Sequence, residues 1–239
     1  MRRLRHAVLA ALLLGAPAMA GADALAPGPY ARIVVIEPHP GKAQAFRDGY
    51  RRHLEWHRRA NDPWTWHGWT FVLGERLGAF MDGTFGHAAE AFDHAVDPAG
   101  DRADNAANVT PHADFSSHGV YERLDGLGAG EPLPDASPYL AMTTYRVEPG
   151  REAAFEALVA ERACVRESGA RFTWMRLVIG GEVPQYLLFR PASSFGEAAR
   201  VGDFFGAGGA CESAASLAGT VRAVRHELLA RQADLSYAP

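Results

Sequence analysis

The stretch IVVIEPHPGKAQAF (residues 33–46) lies over a second stretch of the same chain, TTYRVEPGREAAF (residues 143–155), and this correspondence decides the fold. Both run from an apolar segment through Glu-Pro and Gly-Lys or Gly-Arg into a helical pattern, with Gly41 matched to Gly150 and Phe46 to Phe155. Working outward, Trp64-Thr65-Trp66 lies over Phe172-Thr173-Trp174. Phe85-Gly86-His87-Ala88-Ala89 then lies over Phe195-Gly196-Glu197-Ala198-Ala199. A spacing that holds near about 110 residues, with small slips for loops, is the mark of an internal duplication. The intervening LDGLGAGEPLPDASP (residues 124–138) is rich in Gly and Pro and reads as a linker. The expected organisation is one unit over residues 30–124, a linker over 125–138 and a second unit over 139–239.

Each copy reads as strand, helix, strand, strand, helix, strand. In the first, residues 31–36 form a strand, and 40–60 a helix on which Phe46, Tyr50, Leu54 and His57 recur at helical spacing. Residues 64–73 and 76–81 are strands around a turn at Gly74, 86–96 a short helix, 97–112 a long polar loop, and 115–123 the last strand. The second copy follows this plan to a helix over 195–205, then carries a further helical stretch over 211–224 and a final strand near 227–235. Ile33, Val34, Val35 and Ile36 are apolar on both faces of their strand. A sheet with water on one side alternates, so both faces must be covered. Two units do this by packing sheet to sheet, with their helices outside.

In element order, duplication and the Pro-Gly-Lys/Arg opening of the first helix, the chain resembles the dimeric α/β-barrel superfamily of ferredoxin-like units. That group includes antibiotic-biosynthesis-type monooxygenases, NIPSNAP-like proteins, and haem-degrading and chlorite-dismutase-like proteins. The resemblance implies an α+β fold in which two tandem βαββαβ units form a fused dimeric barrel, monomeric or further associated into a homo-oligomer. Cys164 and Cys211 are open to two readings from the sequence, a structural bridge or two buried thiols. The resemblance favours the bridge, because it sets their two helices side by side.

The first residues give an address. Met-Arg-Arg-Leu-Arg-His followed by AVLAALLLGAPAMA is the layout of a secretory signal peptide over residues 1–20, with cleavage registers reaching residue 26. The run is shorter than the roughly 20 apolar residues a bilayer span needs, and Gly15 and Pro17 break it. The expected location is periplasmic or secreted, with no membrane span in the mature chain. Without residues 1–20 the chain keeps 21 basic against 28 acidic residues, a formal charge of −7. That balance and the absence of a basic run argue against a nucleic-acid partner.

Polar-aromatic residues concentrate in the first copy. Of the histidines after residue 20, only His226 lies in the second, and four of five tryptophans (Trp56, Trp64, Trp66 and Trp69) lie in the first. His53 and His57 are four apart on the inward stripe of the first helix, a spacing at which two imidazoles share a metal ion. The string is not H-E-x-x-H, so a metalloprotease is excluded. By strand alternation Trp64 and Trp66 share one face, and His67 and Trp69 the other. His118 and Tyr121 likewise point to opposite faces. The leading expectation is a protein binding a small apolar or aromatic ligand in a pocket lined by Tyr50, His53, His57, Trp64, Trp66 and His67.

Three alternatives stand beside it. One is an enzyme resembling the cofactor-free monooxygenases, with Asn61, the tryptophans and His67 as catalytic candidates. Another is haem or divalent-metal binding through His53, His57 or His87, although no motif in the sequence requires a cofactor. The last is an interaction barrel without a ligand. No haem-attachment motif, P-loop, dinucleotide fingerprint or nucleophile elbow occurs.

Overall fold

A computed structural model describes residues 27–206, 211 and 214–239; the export signal read in residues 1–20 lies outside them. The first half runs β1 (Pro27–Pro38), α1 (Ala43–Arg59), β2 (His67–Leu73), β3 (Phe80–His87), a 3-10 turn (Ala89–His94), α2 (Pro98–Asn108) and β4 (Ala113–Arg123). The second runs β5 (Tyr139–Val147), α3 (Glu152–Ala160), α4 (Ala163–Glu167), β6 (Thr173–Ile179), β7 (Gln185–Ala192), α5 (Phe195–Ala199) and β8 (Val221–Arg231). Among the described residues no helix is long and apolar enough to cross a membrane.

The eight strands close into one antiparallel barrel in the order β1-β3-β2-β8-β5-β7-β6-β4. Each half contributes its strands in the same sequence, fourth-first-third-second, and the halves meet edge to edge at β2–β8 and β4–β6. The apolar run of β1 is thereby explained. Ile33 and Val35 point into the barrel, where they meet Trp69, Phe71, Met81, Met142, Met175, Leu187 and Leu229. Val34 and Ile36 point outward, beneath Phe46, Tyr50 and Leu54 of α1. The corresponding outer core of the second half gathers Tyr145, Phe155, Trp174, Tyr186, Phe204 and Phe205. Gly41 and Gly150, both at left-handed φ (74° and 79°), make the same turn into α1 and α3.

Several element boundaries differ from the sequence expectation. β2 begins at His67 rather than at residue 64, because the turn through Asp62 and Pro63 holds Trp64 off the sheet. β3 occupies Phe80–His87, so the helix expected over 86–96 shrinks to the 3-10 turn. The polar loop expected over 97–112 contains the helix α2. Asp97 caps it by accepting from Gly100 N, Pro98 sits in its first turn, and none of its residues is buried. With no apolar stripe, periodicity had nothing to register. The helix expected over 195–205 ends at Ala199, and Gly202 turns the chain at φ 66°. Over 211–224 the described residues form no helix; instead β8 starts at Val221, where pairing with β5 overrides local preference. A disulfide joins Cys164 to Cys211 within the outer core of the second half.

The last residues return to the first half. Tyr237 bridges to Trp66, its hydroxyl donates to Asp62 O at 2.8 Å, and Leu235 joins the core under α1.

Candidate functional site

Two regions carry chemistry. The first begins with the end of α1. Asn61 takes left-handed φ (52°), Asn61 N donates to Arg58 O and Asp62 N to His57 O, the pattern that closes a helix C-terminus. The catalytic candidate Asn61 is therefore an exposed helix-ending residue. The same turn carries Asp62 back onto the helix. Its Oδ2 lies 2.7 Å from His57 Nδ1 and accepts from Trp66 Nε1 at 2.8 Å, while its Oδ1 accepts from Trp64 N at 3.0 Å. Burial opposes the charge on Asp62, but these donors outweigh it and hold the carboxyl below its ordinary range.

His53, one turn earlier, is met from the other side by α2. Its Nδ1 lies 2.9 Å from Asp104 Oδ2, and its Nε2 lies 3.3 Å from Asp101 Oδ1 and 3.2 Å from the Asn105 amide. The two Nε2 atoms, of His53 and His57, stand 3.2 Å apart. Trp56 stacks on His53 with ring planes 7° apart. Deeper in, Tyr50 OH donates to Asp82 Oδ2 at 2.6 Å, and burial pushes the Asp82 carboxyl up to about 6 against the pull of Tyr50 and Arg32. Arg32 lies over the Trp66 ring at 4.9 Å.

Of the six expected ligand-binding residues, Tyr50, His53, His57, Trp64 and Trp66 come together in this region. They fill it themselves: His53 and His57 are each only 5% exposed. His67 is on the opposite face, stacked on Trp69 and edge-on to Phe85 at one end of the barrel interior. Burial, aided by the Arg231 charge, holds it down to about 4. The alternation of β2 thus keeps His67 apart from the other five, as expected for neighbours Trp66 and His67 on opposite faces. A haem does not fit at the three named histidines. The Nε2 atoms of His53 and His57 face one another inside packed side chains, and His87 is engaged by Thr84 and flanked by Trp64 and Phe92.

The second region is open. A cleft of about 690 Å³ lies over the outer face of β5 and β8. Its floor includes Ala141, Thr143, Tyr145, Val224, His226 and Leu228, and α5 with the turn at residues 202–204 forms its roof. Arg190 fixes that turn by donating to Val201 O and Gly202 O at 2.7 and 2.9 Å. His226 stands opposite Thr143 in register, with its Nδ1 2.8 Å from Thr143 Oγ1. Partial burial, and then the Arg190 charge, keep the imidazole below the ordinary histidine range. Its Nε2 has no hydrogen-bond partner among the described residues.

Sequence reasoning missed Asp62, Asp82, Asp101, Asp104 and Asn105, and gave His226 no role. The signal for Asp101, Asp104 and Asn105 was their spacing of three and four behind the Asp97-Pro98 cap. For His226 a faint one existed: His118 stands opposite Val34 on β1 as His226 stands opposite Thr143 on β5.

No family model matches the chain, and no curated protein does. Solved structures do. A candidate monooxygenase from Fusobacterium nucleatum is 11% identical with a TM-score of 0.58, over 89% of this chain and 99% of that one. An anthrone oxidase-like protein is 13% identical with a TM-score of 0.55, over 85% and 92%. A chlorite dismutase from Candidatus Nitrospira defluvii is 8% identical with a TM-score of 0.53, over 84% and 91%. At such identities the likeness shows the fold alone: an α+β chain closed into the barrel of the dimeric α/β-barrel proteins.

Proposed function

We propose that this chain is an exported protein that binds a small, flat, largely apolar molecule in the cleft over β5 and β8. The cleft itself carries the reading. Its volume suits a ligand of two to four rings, most of its lining is aliphatic or aromatic, and His226 offers one free ring nitrogen to a polar edge. This moves the ligand from the first half, where the sequence had placed it, to the second. Thr143 fixes the imidazole so that Nε2 meets the ligand as donor or acceptor according to tautomer.

The second reading is oxygenation of an aromatic substrate, favoured by the cleft-facing His226, held at Nδ1 by Thr143, and by fold neighbours described as monooxygenase and anthrone oxidase-like proteins. His226 Nε2 would take the proton of an acidic ring CH₂. The resulting carbanion reacts with dioxygen, one oxygen atom becoming a ring carbonyl and the other leaving as water.

Two tandem ferredoxin-like units are the economical account of the barrel, supported by the repeated strand order and by the matched His118 and His226 positions. A NIPSNAP-like kinship rests on the Pro-Gly-Lys/Arg helix opening alone. Closure within one chain leaves the sheet no free edge, which supports a monomeric barrel. The Cys164–Cys211 bridge supports an oxidising compartment.

The test is calorimetric titration of the mature chain with a panel of tricyclic phenols and anthrones, followed by an oxygen-electrode assay. Saturable binding that Ala199→Trp abolishes supports the cleft; binding indifferent to Ala199→Trp removes it. Oxygen uptake lost in His226→Ala selects the enzyme, and binding without uptake selects the binding protein.

A further inference from the structure

We propose that His53, His57 and Asp101 form a site for a single divalent transition-metal ion that fastens α2 to α1. The inference is independent of the ligand in the cleft.

The geometry of the donors comes first. His53 Nε2 and His57 Nε2 are 3.2 Å apart, and Asp101 Oδ1 is 3.3 Å from the first and 4.0 Å from the second. An ion seated in that triangle lies about 2.1 Å from all three atoms, the bond length that zinc makes to imidazole nitrogen and carboxylate oxygen. Two imidazoles and one carboxylate also suit zinc and its neighbours in the first transition row better than calcium or magnesium.

Protonation follows from the outer partners. The Nδ1 atoms of His53 and His57 face the carboxylates of Asp104 and Asp62, at 2.9 and 2.7 Å. A carboxylate accepts, so each Nδ1 carries the proton and each Nε2 presents its lone pair to the other. Two such lone pairs 3.2 Å apart, with a carboxylate oxygen beside them, converge on a point that a cation can occupy. Carboxylate-backed histidine is also the arrangement that orients and strengthens metal-binding imidazoles. Asn105 supplies a further donor: its amide is 3.2 Å from both His53 Nε2 and Asp101 Oδ1, and a rotated amide turns its carbonyl oxygen to the same point.

The third observation concerns what holds α2. This eleven-residue helix buries none of its own residues, and its apolar anchor is Val109, the C-cap residue that enters the core under α1. Its named ties to α1 are polar: Asp101, Asp104 and Asn105 to the histidine pair, and Asn108 to Arg52. An ion shared between the helices supplies the docking energy that a hydrophobic face would otherwise provide.

The experiment is calorimetric titration of the chelator-treated mature chain with Zn²⁺, and with Co²⁺ read by its visible spectrum, alongside hydrogen exchange. The expected result is one Zn²⁺ per chain at micromolar Kd or tighter. Asp101→Asn should weaken it at least about 10-fold and His57→Gln about 100-fold, with slower exchange of the α2 amides on loading. Asp101 lies on the partly exposed helix, so its variant carries the test if His57→Gln does not fold. No 1:1 uptake by the folded parent chain overturns the site, as does uptake unaltered in both variants. Uptake with unchanged α2 exchange overturns the clamp.

Discussion

The two halves of the barrel cover the outer face of their sheet in different ways. In the first, a 17-residue helix lays Phe46, Tyr50, His53, Leu54 and His57 onto β1 and β3, and α2 and the chain's last residues close the sides. In the second, the helices after β5 and β7 are short, and the turn after α5 roofs a cleft over Ala141 and Thr143. The half richer in histidine and tryptophan is the closed one. Concentrated polar-aromatic residues therefore mark where groups satisfy one another, while the cavity opens where covering elements are short and floor residues small.

The largest expected effect is on the closed half. Asp62 is 3% exposed and partners His57, Trp64 and Trp66, so Asp62→Ala strands buried donors. It should cost about 3–5 kcal/mol in urea unfolding; a loss under 1 kcal/mol would show that the network does not hold this half shut.

Gly49→Ala comes next. A Cβ at Gly49 would come within 1.9 Å of Asn108 O, at the close crossing of α1 and α2. The expected cost is about 1–3 kcal/mol, with faster hydrogen exchange confined to α2. Exchange that rises throughout the chain instead would mean that α2 is not a separate flap.

His67 belongs to the barrel interior rather than to either outer face. Its pKa is about 4 when folded and near 6.5 when unfolded, so the unfolded chain binds the extra proton between those values. Its contribution to stability is complete above pH 6.5 and falls as the pH drops toward 4. Discounted for its partial exposure, the loss is about 1–2 kcal/mol. Unfolding midpoints measured from pH 4 to 7 should show a slope that His67→Gln flattens; an equal slope in both proteins assigns the acid sensitivity elsewhere.

The smallest effect on stability belongs to the open half. His226→Ala removes a cleft-facing side chain with one hydrogen bond, to Thr143, and should shift stability by about 1 kcal/mol or less. A loss comparable to that of Asp62→Ala would make the two regions alike and End their contrast as structural support and binding surface.

Much of the fold was legible. The two-sided apolar run of β1 demanded cover on both faces, and a barrel interior with an outer helix supplies it. Alternation correctly divided Trp66 from His67 and Trp69, as a pleated backbone requires, while Trp64 reaches the side of Trp66 through the turn at Asp62. What failed were the helix without an apolar face, α2, and with it the carboxylates that meet His53, and the helices expected over 195–205 and 211–224, of which only Phe195–Ala199 forms among the described residues.

The sequence by itself determined the order of the strands, the place of the first helix, and that His53 and His57 share an inward face, since these follow from local periodicity. Tertiary structure alone decided that Asp62, Asp101 and Asp104 converge on those histidines, that Tyr237 closes over them, and that the cleft opens beside His226. Those outcomes depend on contacts between residues far apart in the chain and on which covering elements are long enough to fill the space, and no local pattern encodes either.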